Sequence, residues 1–245
     1  MNDPLPLDRV RVVLVRASHP GNIGAAARAM KTMGLARLWL VSPASFPNPV
    51  ARARASGAGD VLDRAKVVDT LPEALAGTVF AAALTARRRD LSLPCLGLRA
   101  AAAELLEWRA RGEVALVFGN EASGLTNEEL GLCALPVTIP ASPDYASLNL
   151  GAAVQLACYE LRMAAMEEDA RPAAGRAPEP ATHEEVEGFF AHLESAIVAS
   201  GFLDPAKPRR LMPKLRRLFG RARLEKGEVA ILRGILASFS AGENK

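Results

Sequence analysis

An arginine beside a glycine-rich turn is the first residue of this sequence whose position suggests chemistry. The stretch SHPGNIGAAARAMKTMG, residues 18–34, follows the apolar run VRVVLV. Its Pro-Gly-Asn triplet predicts a tight strand-to-helix turn, with Asn22 or a neighbour capping the helix and Gly34 ending it. Arg28 is then expected one turn into the helix, near the positive end of the helix dipole, where a cation is disfavoured. An anionic ligand would explain Arg28 there, and a buried ion pair is the alternative.

The glycines of this turn do not match the common nucleotide-binding loops. The segment GNIGAA is not G-x-G-x-x-G, and no part of the chain matches the phosphate loop G-x-x-x-x-G-K-[ST]. Gly24 instead allows another backbone or a ligand to approach closely. A dinucleotide-dependent oxidoreductase is therefore disfavoured.

A second turn of this kind follows the apolar run VALVFG. The stretch VALVFGNEASGLTNEEL leads from a strand into Gly119, Asn120 and Glu121, has another glycine at Gly124, and continues into a helix whose TNEE start has capping-box spacing. Turns after the carboxyl ends of parallel strands are where α/β proteins bind ligands. This turn therefore predicts a ligand site, and a carboxylate satisfied by backbone amides is the alternative for Glu121.

The third turn repeats the order of strand, polar loop and helix in VTIPASPDYASLNLGAAVQLACYEL. Ser147 is expected to cap the helix, and Asn149 to lie in its first turn, where the amide could face a ligand. Capping alone is the alternative for Ser147.

Two basic segments are candidates for contact with nucleic acid. The segment TARRRD, residues 85–90, places three consecutive arginines after an apolar run, where they would repel one another without an anion. Residues 207–223 contain eight basic residues and no carboxylate. Uncompensated charge of this density is what contact with a phosphate backbone requires, and a solvated helix face is the alternative.

Other chemistries lack the residues that they need. The three histidines have no accompanying nucleophile elbow, and neither HExxH nor a paired-carboxylate cluster occurs, so hydrolysis is unsupported. Cys95, Cys133 and Cys158 are scattered without CxxC spacing, which argues against a zinc knuckle and a disulfide framework. We expect small buried thiols and no metal.

The elements that must position these turns indicate an α/β fold with a mostly parallel sheet. Short apolar runs alternate with longer amphipathic stretches as far as Glu168. The apolar runs are nearly continuous, as in strands covered on both faces. Strands are expected over residues 10–15, 38–41, 78–85, 114–119 and 136–140. Helices are expected over residues 24–33, 49–62, 72–76, 99–111 and 148–168.

The sequence divides into an α/β domain over residues 1–166, a linker over 167–182 and a basic, all-helical extension over 183–245. The linker, EEDARPAAGRAPEPAT, is rich in Ala, Pro and charge and has no periodic apolar face. Three amphipathic helices follow it. The apolar face of the second is expected to hold Leu211, Leu215, Leu218 and Ala222.

Composition sets the broad class. The chain has 245 residues, of which 50% are hydrophobic, and this is enough to form a buried core. Its net charge of +3 is too small to indicate a class of binding partner. No run of about 18 apolar residues occurs, and the first residues lack the regions of a signal peptide. We therefore expect a soluble, cytoplasmic protein that does not enter a membrane.

The three turns, in this order and placement, resemble the SPOUT superfamily of RNA methyltransferases in its ribose 2′-O-methyltransferase branch. HPGNIGAAARAMKTMG is similar to the first motif of that branch, FGNEASGLTNEEL to the second and IPASPDYASLNLGAAVQLACYE to the third. The phrase LWLVSP and the spacing most resemble the bacterial tRNA methyltransferases that modify cytidine or uridine 32. The resemblance covers residues 9–166 strongly and the helical extension less specifically.

The resemblance implies S-adenosylmethionine as methyl donor, a homodimer, and a sheet whose C-terminal part forms a deep trefoil knot, a rare exception to ordinary topology. It also implies a set of residues that hold the cofactor. These are Leu84, Thr85, Gly119, Asn120, Glu121, Gly124, Ile139, Ser147, Leu148 and Asn149.

For the RNA side, the resemblance implies that Arg28 is the catalytic arginine and that Arg87 and Arg89 contact substrate. We add Asn22 from the first turn and, from the basic extension, Lys214, Arg217 and Arg221. Arginine stays protonated far above pH 7. Arg28 is thus either a base assisted by a substrate phosphate or, more simply, a group that grips the phosphate and stabilises the developing alkoxide.

One departure bears on the target nucleotide. Enzymes that act on tRNA position 32 often carry Gly-Arg-Glu in the second motif, whereas this chain has Asn120 between Gly119 and Glu121. The sequence therefore predicts a 2′-O-methyltransferase of tRNA, with nucleotide 32 as the first expectation. Another tRNA or ribosomal RNA position, or a non-catalytic RNA-binding protein that retains the fold, are the alternatives.

Overall fold

The computed structural model describes residues 7–86, 95–142, 144–169 and 179–241. The chain divides into two compact units, Met1–Gly175 and Arg176–Lys245. No helix among the described residues is long and apolar enough to cross a membrane.

The first unit is built on a parallel sheet with the strand order β3-β2-β1-β6-β4-β7-β5, counted over the described residues. All six residues of β1 are buried, as expected of a central strand covered on both faces. The strands are β1 Val10–Val15, β2 Arg37–Val41, β3 Lys66–Val68, β4 Thr78–Leu84, β5 Leu96–Gly97, β6 Glu113–Phe118 and β7 Leu135–Thr138.

Helices cover the sheet, and α1 packs between α2 and α7. The helices of the first unit are α1 Pro20–Thr32, α2 Pro49–Ala55, α3 Gly59–Asp63, α4 Leu71–Leu75, α5 Leu98–Arg109, α6 Asn127–Gly131 and α7 Leu150–Asp169. The expected α/β class with a helical C-terminal extension is confirmed. The trefoil knot stays a prediction.

Helix α1 begins earlier than the sequence pattern indicated. Its N-cap is His19, whose side chain accepts a hydrogen bond from the amide of Gly21, and Pro20 occupies the first turn. Of the expected caps, Asn22 does not cap the helix, because its side chain is bound to Glu121 and Asn149. Arg28 is consequently the ninth residue of the helix, too far from its N-terminus for the dipole to disfavour a cation there.

Two other boundaries differ from the expectations. The helix predicted over residues 49–62 breaks at Ser56, whose φ of +52° lies in the left-handed region, and resumes as α3. Helix α7 begins at Leu150, and the side chain of Asn149, rather than that of Ser147, accepts a hydrogen bond from the amide of Gly151.

The second unit consists of α8 His183–Ala199, α9 Leu211–Ala222 and α10 Lys226–Ala241. Its core forms around Phe189 and Phe190, against which Phe219 packs edge-on at centroid distances of 4.8 and 6.2 Å. Met212 and Phe219, not the predicted leucine row, supply the packed face of α9, and Leu218 of that row is 49% exposed.

The linker predicted over residues 167–182 is shortened at both ends by ordered structure. Helix α7 extends to Asp169, and Ala181 is buried in the core of the second unit. Thr182 caps α8 in a capping box with Glu185. Residues 170–178 lie outside the described part of the chain.

Candidate active site

A cavity of about 360 Å³ lies where β4, β6 and β7 end, within the range of about 300–1,000 Å³ that is usual for small-ligand sites. Residues 84–86, 118–125 and 146–148 form most of its wall, together with Ile139, Leu150 and Ala153. Nine of the ten residues expected to hold the cofactor line it. They are Leu84, Thr85, Gly119, Asn120, Glu121, Gly124, Ile139, Ser147 and Leu148.

The turn after β6 is shaped by two glycines and an amide. A Cβ on Gly119 would lie 2.8 Å from the Cα of Gly124, so only glycine allows the turn to fold back on itself. Gly124 has a φ of +69°. Asn120 accepts hydrogen bonds from the amides of Ala122 and Ser123 at 2.9 and 3.3 Å. Asn120 thus fixes the turn that borders the cavity.

The carboxylate of Glu121 reaches from this turn to the start of α1. Its oxygens accept hydrogen bonds from the amide and hydroxyl of Ser18, each at 2.9 Å, from the amide of His19 at 3.3 Å and from Nδ2 of Asn22 at 2.8 Å. Burial by itself raises the pKa of Glu121, but these hydrogen bonds outweigh it and lower the pKa to about 2. Glu121 is therefore ionised at neutral pH and unsuited to act as a general base there.

Asn22 and Asn149 complete a network that joins all three turns. Nδ2 of Asn149 donates to Oδ1 of Asn22 at 3.0 Å, while Asn22 donates to Glu121. Asn149 does not line the cavity, unlike the other residues expected to hold the cofactor. Asn22 thus makes one hydrogen bond through its amide nitrogen and one through its oxygen within the protein, and its predicted contact with RNA stays a prediction.

Close packing fixes α1 beside the cavity. A Cβ on Gly24 would lie 2.9 Å from the carbonyl carbon of Ala51 in α2. At the start of α7, a Cβ on Gly151 would lie 2.7 Å from the Cβ of Ala25 in α1. Both glycines are therefore needed for helix contact, which accounts for the close approach that the sequence indicated for Gly24.

Arg28 lies on another side of α1. It is exposed, and its side chain has no hydrogen bond or ion pair with any residue that the structure describes. At 100° per residue it lies about 120° around the helix from Asn22 and on the same face as Gly24 and Lys31. Arg28 is not part of the cavity wall, so one chain does not bring the predicted catalytic residue to the predicted cofactor site.

The remaining predicted RNA contacts divide into two groups. Arg87 and Arg89 lie outside the described residues. In α9, Lys214 and Arg221 are exposed, whereas Arg217 is half-buried.

A neighbouring arginine of α9 has a structural role that local sequence could not show. Arg216 donates two hydrogen bonds to Glu187, at 2.5 and 2.7 Å, and its guanidinium lies 4.4 Å from the ring centroid of Phe190. The carboxylate that compensates it is on α8, outside the basic segment.

Sequence reasoning missed Ser18 and His19 as partners of Glu121, although both belong to the first turn. The signal would have been two free amides at a helix start, which commonly attract a carboxylate. Among the described residues no group of three or more His, Cys, Asp or Glu side chains could hold a metal. The site therefore offers a cavity lined by the glycine turn after β6 and by apolar side chains, with an ionised carboxylate that ties this turn to the start of α1.

Comparison with known proteins gives two family matches that together span most of the chain. The SpoU rRNA Methylase family matches residues 9–159, and the C-terminal domain of the tRNA methyltransferase TrmJ matches residues 184–244.

Individual relatives match over nearly the whole length. The chain is 54% identical over 239 residues to the tRNA (cytidine/uridine/adenosine-2′-O-)-methyltransferase TrmJ of Pseudomonas aeruginosa, covering 94% of this chain and 93% of that one. It is 50% identical over 236 residues to the tRNA (cytidine/uridine-2′-O-)-methyltransferase TrmJ of Klebsiella pneumoniae, covering 95% and 96%. The crystal structure of TrmJ from Z. mobilis superposes with a TM-score of 0.81 at 34% identity, covering 94% and 98%.

Proposed function

The chain belongs to the SpoU rRNA methylase family, and from this premise we propose that it transfers a methyl group from S-adenosylmethionine to a ribose 2′-hydroxyl of tRNA. The observation that supports the proposal is that residues of the second and third motifs line one cavity. A hydrogen-bond network of side-chain amides and one carboxylate connects this cavity to the first motif. A tRNA substrate also places its work in the cytoplasm.

The cavity fits the methyl donor in size and lining. S-adenosylmethionine would supply an electrophilic methyl group bound to a positively charged sulfur. The backbone groups around Gly119, Ile139 and Leu148 would hold its nucleoside, since the wall includes both the glycine turn and apolar side chains. The carboxylate of Glu121 keeps the turn in place through the amides at the start of α1.

Arg28 would bind the substrate phosphate and stabilise the negative charge that develops on the 2′-oxygen as its proton passes to solvent. A guanidinium remains charged throughout, so electrostatic stabilisation is the simpler role. Replacing Arg28 by Ala should abolish methylation while S-adenosylmethionine binding, measured by calorimetry, stays within about twofold. A fully active variant would contradict this role.

The positions of Arg28 and the cavity on different sides of α1 favour a homodimer in which one copy supplies the cavity and the other the arginine. A mixing experiment tests this arrangement. Arg28→Ala and a variant with a blocked cavity, Gly119→Val, should each be inactive alone but recover part of the activity when unfolded and refolded together. No recovery in mixed dimers, with each homodimer folded, would show that both groups must act within one chain.

Nucleotide 32 of the anticodon loop is the proposed target, with cytidine or uridine as the base. The relatives carry names that specify cytidine and uridine, and one adds adenosine. Asn120, in place of the arginine frequent in enzymes for position 32, fixes its own turn and leaves another tRNA or ribosomal RNA position as the alternative. Mapping 2′-O-methyl groups in RNA from cells with and without the gene decides between them.

The second unit would dock the RNA through the exposed cations of α9. Replacing Lys214 and Arg221 together by Ala should weaken tRNA binding and flatten its salt dependence, since each lost phosphate contact lowers the slope by about 0.7 to 0.9. Lys226→Ala is the matched control, because Lys226 is exposed and paired with Glu179 at 3.0 Å. Equal slopes for wild type and the double variant would make the basic face merely solvated.

A non-catalytic RNA-binding protein with the same fold is the second candidate, favoured by the uncompensated cations of α9. Calorimetry with S-adenosylmethionine separates the two, because a binding module should give no saturable heat.

A further inference from the structure

Two helices of the first unit form a cationic face that the proposed mechanism uses only in part. Gly21, Gly24 and Arg28 lie along one side of α1, and α2 packs against that side. Arg28 is seven positions after Gly21, which is about 10 Å along the helix axis. This length is enough to follow a segment of an extended nucleic-acid strand.

Arg54 of α2 lies directly against this side of α1. A Cβ on Gly24 would be 2.9 Å from Cβ of Arg54, and a Cβ on Gly21 would be 3.6 Å from its Cγ. The aliphatic stem of Arg54 therefore rests on the glycines of the first motif. Arg54 is exposed, so its guanidinium can face solvent beside the helix face on which Arg28 lies.

His19 also lies against Gly21, close to the position of Arg54. A Cβ on Gly21 would be 2.9 Å from Cε1 and Nδ1 of the imidazole. Because Nδ1 accepts a hydrogen bond from the amide of Gly21 at 3.0 Å, the ring proton belongs on Nε2. Nε2 is thus a donor near the stem of Arg54, on an exposed residue.

Charge on this face is unbalanced in a specific way. Asp60 is bound by Lys31 at 2.7 Å, and Asp63 is bound by Arg52. Over the described part of the chain, neither Arg28 nor Arg54 has an ion pair. The nearby carboxylates therefore neutralise their own partners and leave two guanidinium groups free, which is the arrangement that an extended anion would complement.

We propose that Arg54, assisted by Nε2–H of His19, binds the ribose-phosphate backbone of the RNA substrate next to the nucleotide that Arg28 engages. The proposal rests on the proposed function, since it assigns further contacts to the same substrate. Arg54 binds and positions RNA here and takes no part in the methyl transfer. Gly21 and Gly24 allow α2 to pack closely against α1, and this places Arg54 beside the start of α1.

The test compares Arg54→Gln with Arg52→Gln, an exposed arginine of the same helix that is paired with Asp63. Binding of unmodified tRNA transcript is measured from about 50 to 200 mM salt. Arg54→Gln should lower the slope of log K against log salt by about 0.7 to 0.9, the value for one phosphate contact. Arg52→Gln should keep the wild-type slope, and Arg54→Lys should restore most of it because it keeps the charge.

Steady-state methylation adds a readout that a merely structural role would not reproduce. Arg54→Gln should raise the KM for tRNA about fivefold or more while kcat and S-adenosylmethionine affinity stay within about twofold. His19→Asn retains a capping side chain and removes Nε2–H, and it should weaken tRNA binding about two- to tenfold, the range for one neutral hydrogen bond.

An unchanged salt slope in Arg54→Gln, or an equal loss in Arg52→Gln, would overturn the proposal. Failure of the proposed function gives a different result. If the salt slopes of wild type and Arg54→Gln differ as expected but the wild-type chain methylates no RNA, the Arg54 contact is supported and the catalytic assignment is wrong.

Discussion

Replacing Glu121 by Gln tests whether one carboxylate holds the three turns together. The carboxylate accepts hydrogen bonds from Ser18, His19 and Asn22 on α1. Glutamine keeps the length of the side chain but has only one acceptor oxygen. Its NH₂ group would face the N–H and O–H donors that the second carboxylate oxygen now accepts from. At least one donor at the start of α1 should therefore lose its partner.

The size of the effect follows from the pKa of Glu121, which the hydrogen bonds lower from 4.5 to about 2 against the opposing effect of burial. At 1.36 kcal/mol per pKa unit, the upper bound is about 3 kcal/mol. The side chain is partly exposed, and solvent screening reduces this contribution to about 1–2 kcal/mol. Glu121→Gln should lower the free energy of unfolding of the first unit by this amount at pH 7.

The contribution depends on pH with a definite sign. Because the pKa of Glu121 is lower in the folded protein than in the unfolded chain, the stabilisation is complete above the unfolded pKa and is lost as pH falls toward 2. Other carboxylates, such as Glu113 and Glu129, also have lowered pKa values, so wild type and variant both lose stability in acid. The difference between them should narrow from about pH 5 to pH 3.

Urea denaturation followed by tryptophan fluorescence measures this difference. Both tryptophans, Trp39 and Trp108, belong to the first unit, so the signal reports its unfolding alone. Glu107→Gln is the control, because Glu107 is an exposed carboxylate of the same unit outside the network. Two results would refute the assignment of the network to the ionised carboxylate. One is a loss of unfolding free energy in Glu121→Gln that stays constant from pH 7 to pH 3, and the other is a loss equal to that in Glu107→Gln.

Three further predictions concern packing and thiols. Gly119→Ala should abolish measurable S-adenosylmethionine binding, because the added Cβ would lie 2.8 Å from a backbone carbon of the same turn; calorimetry checks this. Arg216→Ala should destabilise the second unit by about 1–3 kcal/mol, seen by thermal unfolding in far-ultraviolet circular dichroism, since it leaves a half-buried carboxylate unpaired. A thiol reagent at pH 8 should modify only Cys95 in the native protein and all three cysteines after denaturation, because burial raises the pKa values of Cys133 and Cys158 to about 12.

The central strands were predictable because burial on both faces leaves continuous apolar runs. Strands β1, β4 and β6 lie within one residue of the expected bounds. The edge strands gave no such signal. Lys66–Val68 exposes two of its three residues, and Leu96–Gly97 is only two residues long. Pairing with a neighbouring strand, rather than local pattern, makes these segments strands.

Helix starts were less predictable because several residues in each turn could act as caps. In the first turn Asn22 is a stronger capping type than His19, yet His19 caps α1. In the third turn Ser147 was favoured, yet Asn149 bonds the amide of Gly151. In the first turn, tertiary structure decided the choice, since Asn22 is bound by Glu121, which is 99 positions away in sequence.

Arg28 lies too far along α1 for the helix dipole to indicate an anion, since it is the ninth residue of the helix and not a residue of its first turn. Its charge nevertheless has no partner among the described residues, because the α3 carboxylates of Asp60 and Asp63 are bound to Lys31 and Arg52. An unpaired guanidinium on a helix is ordinary by itself. Two on one face, with Arg54 held against the glycines of the first motif, make an anion of extended shape the simplest complement, and a phosphate backbone has that shape.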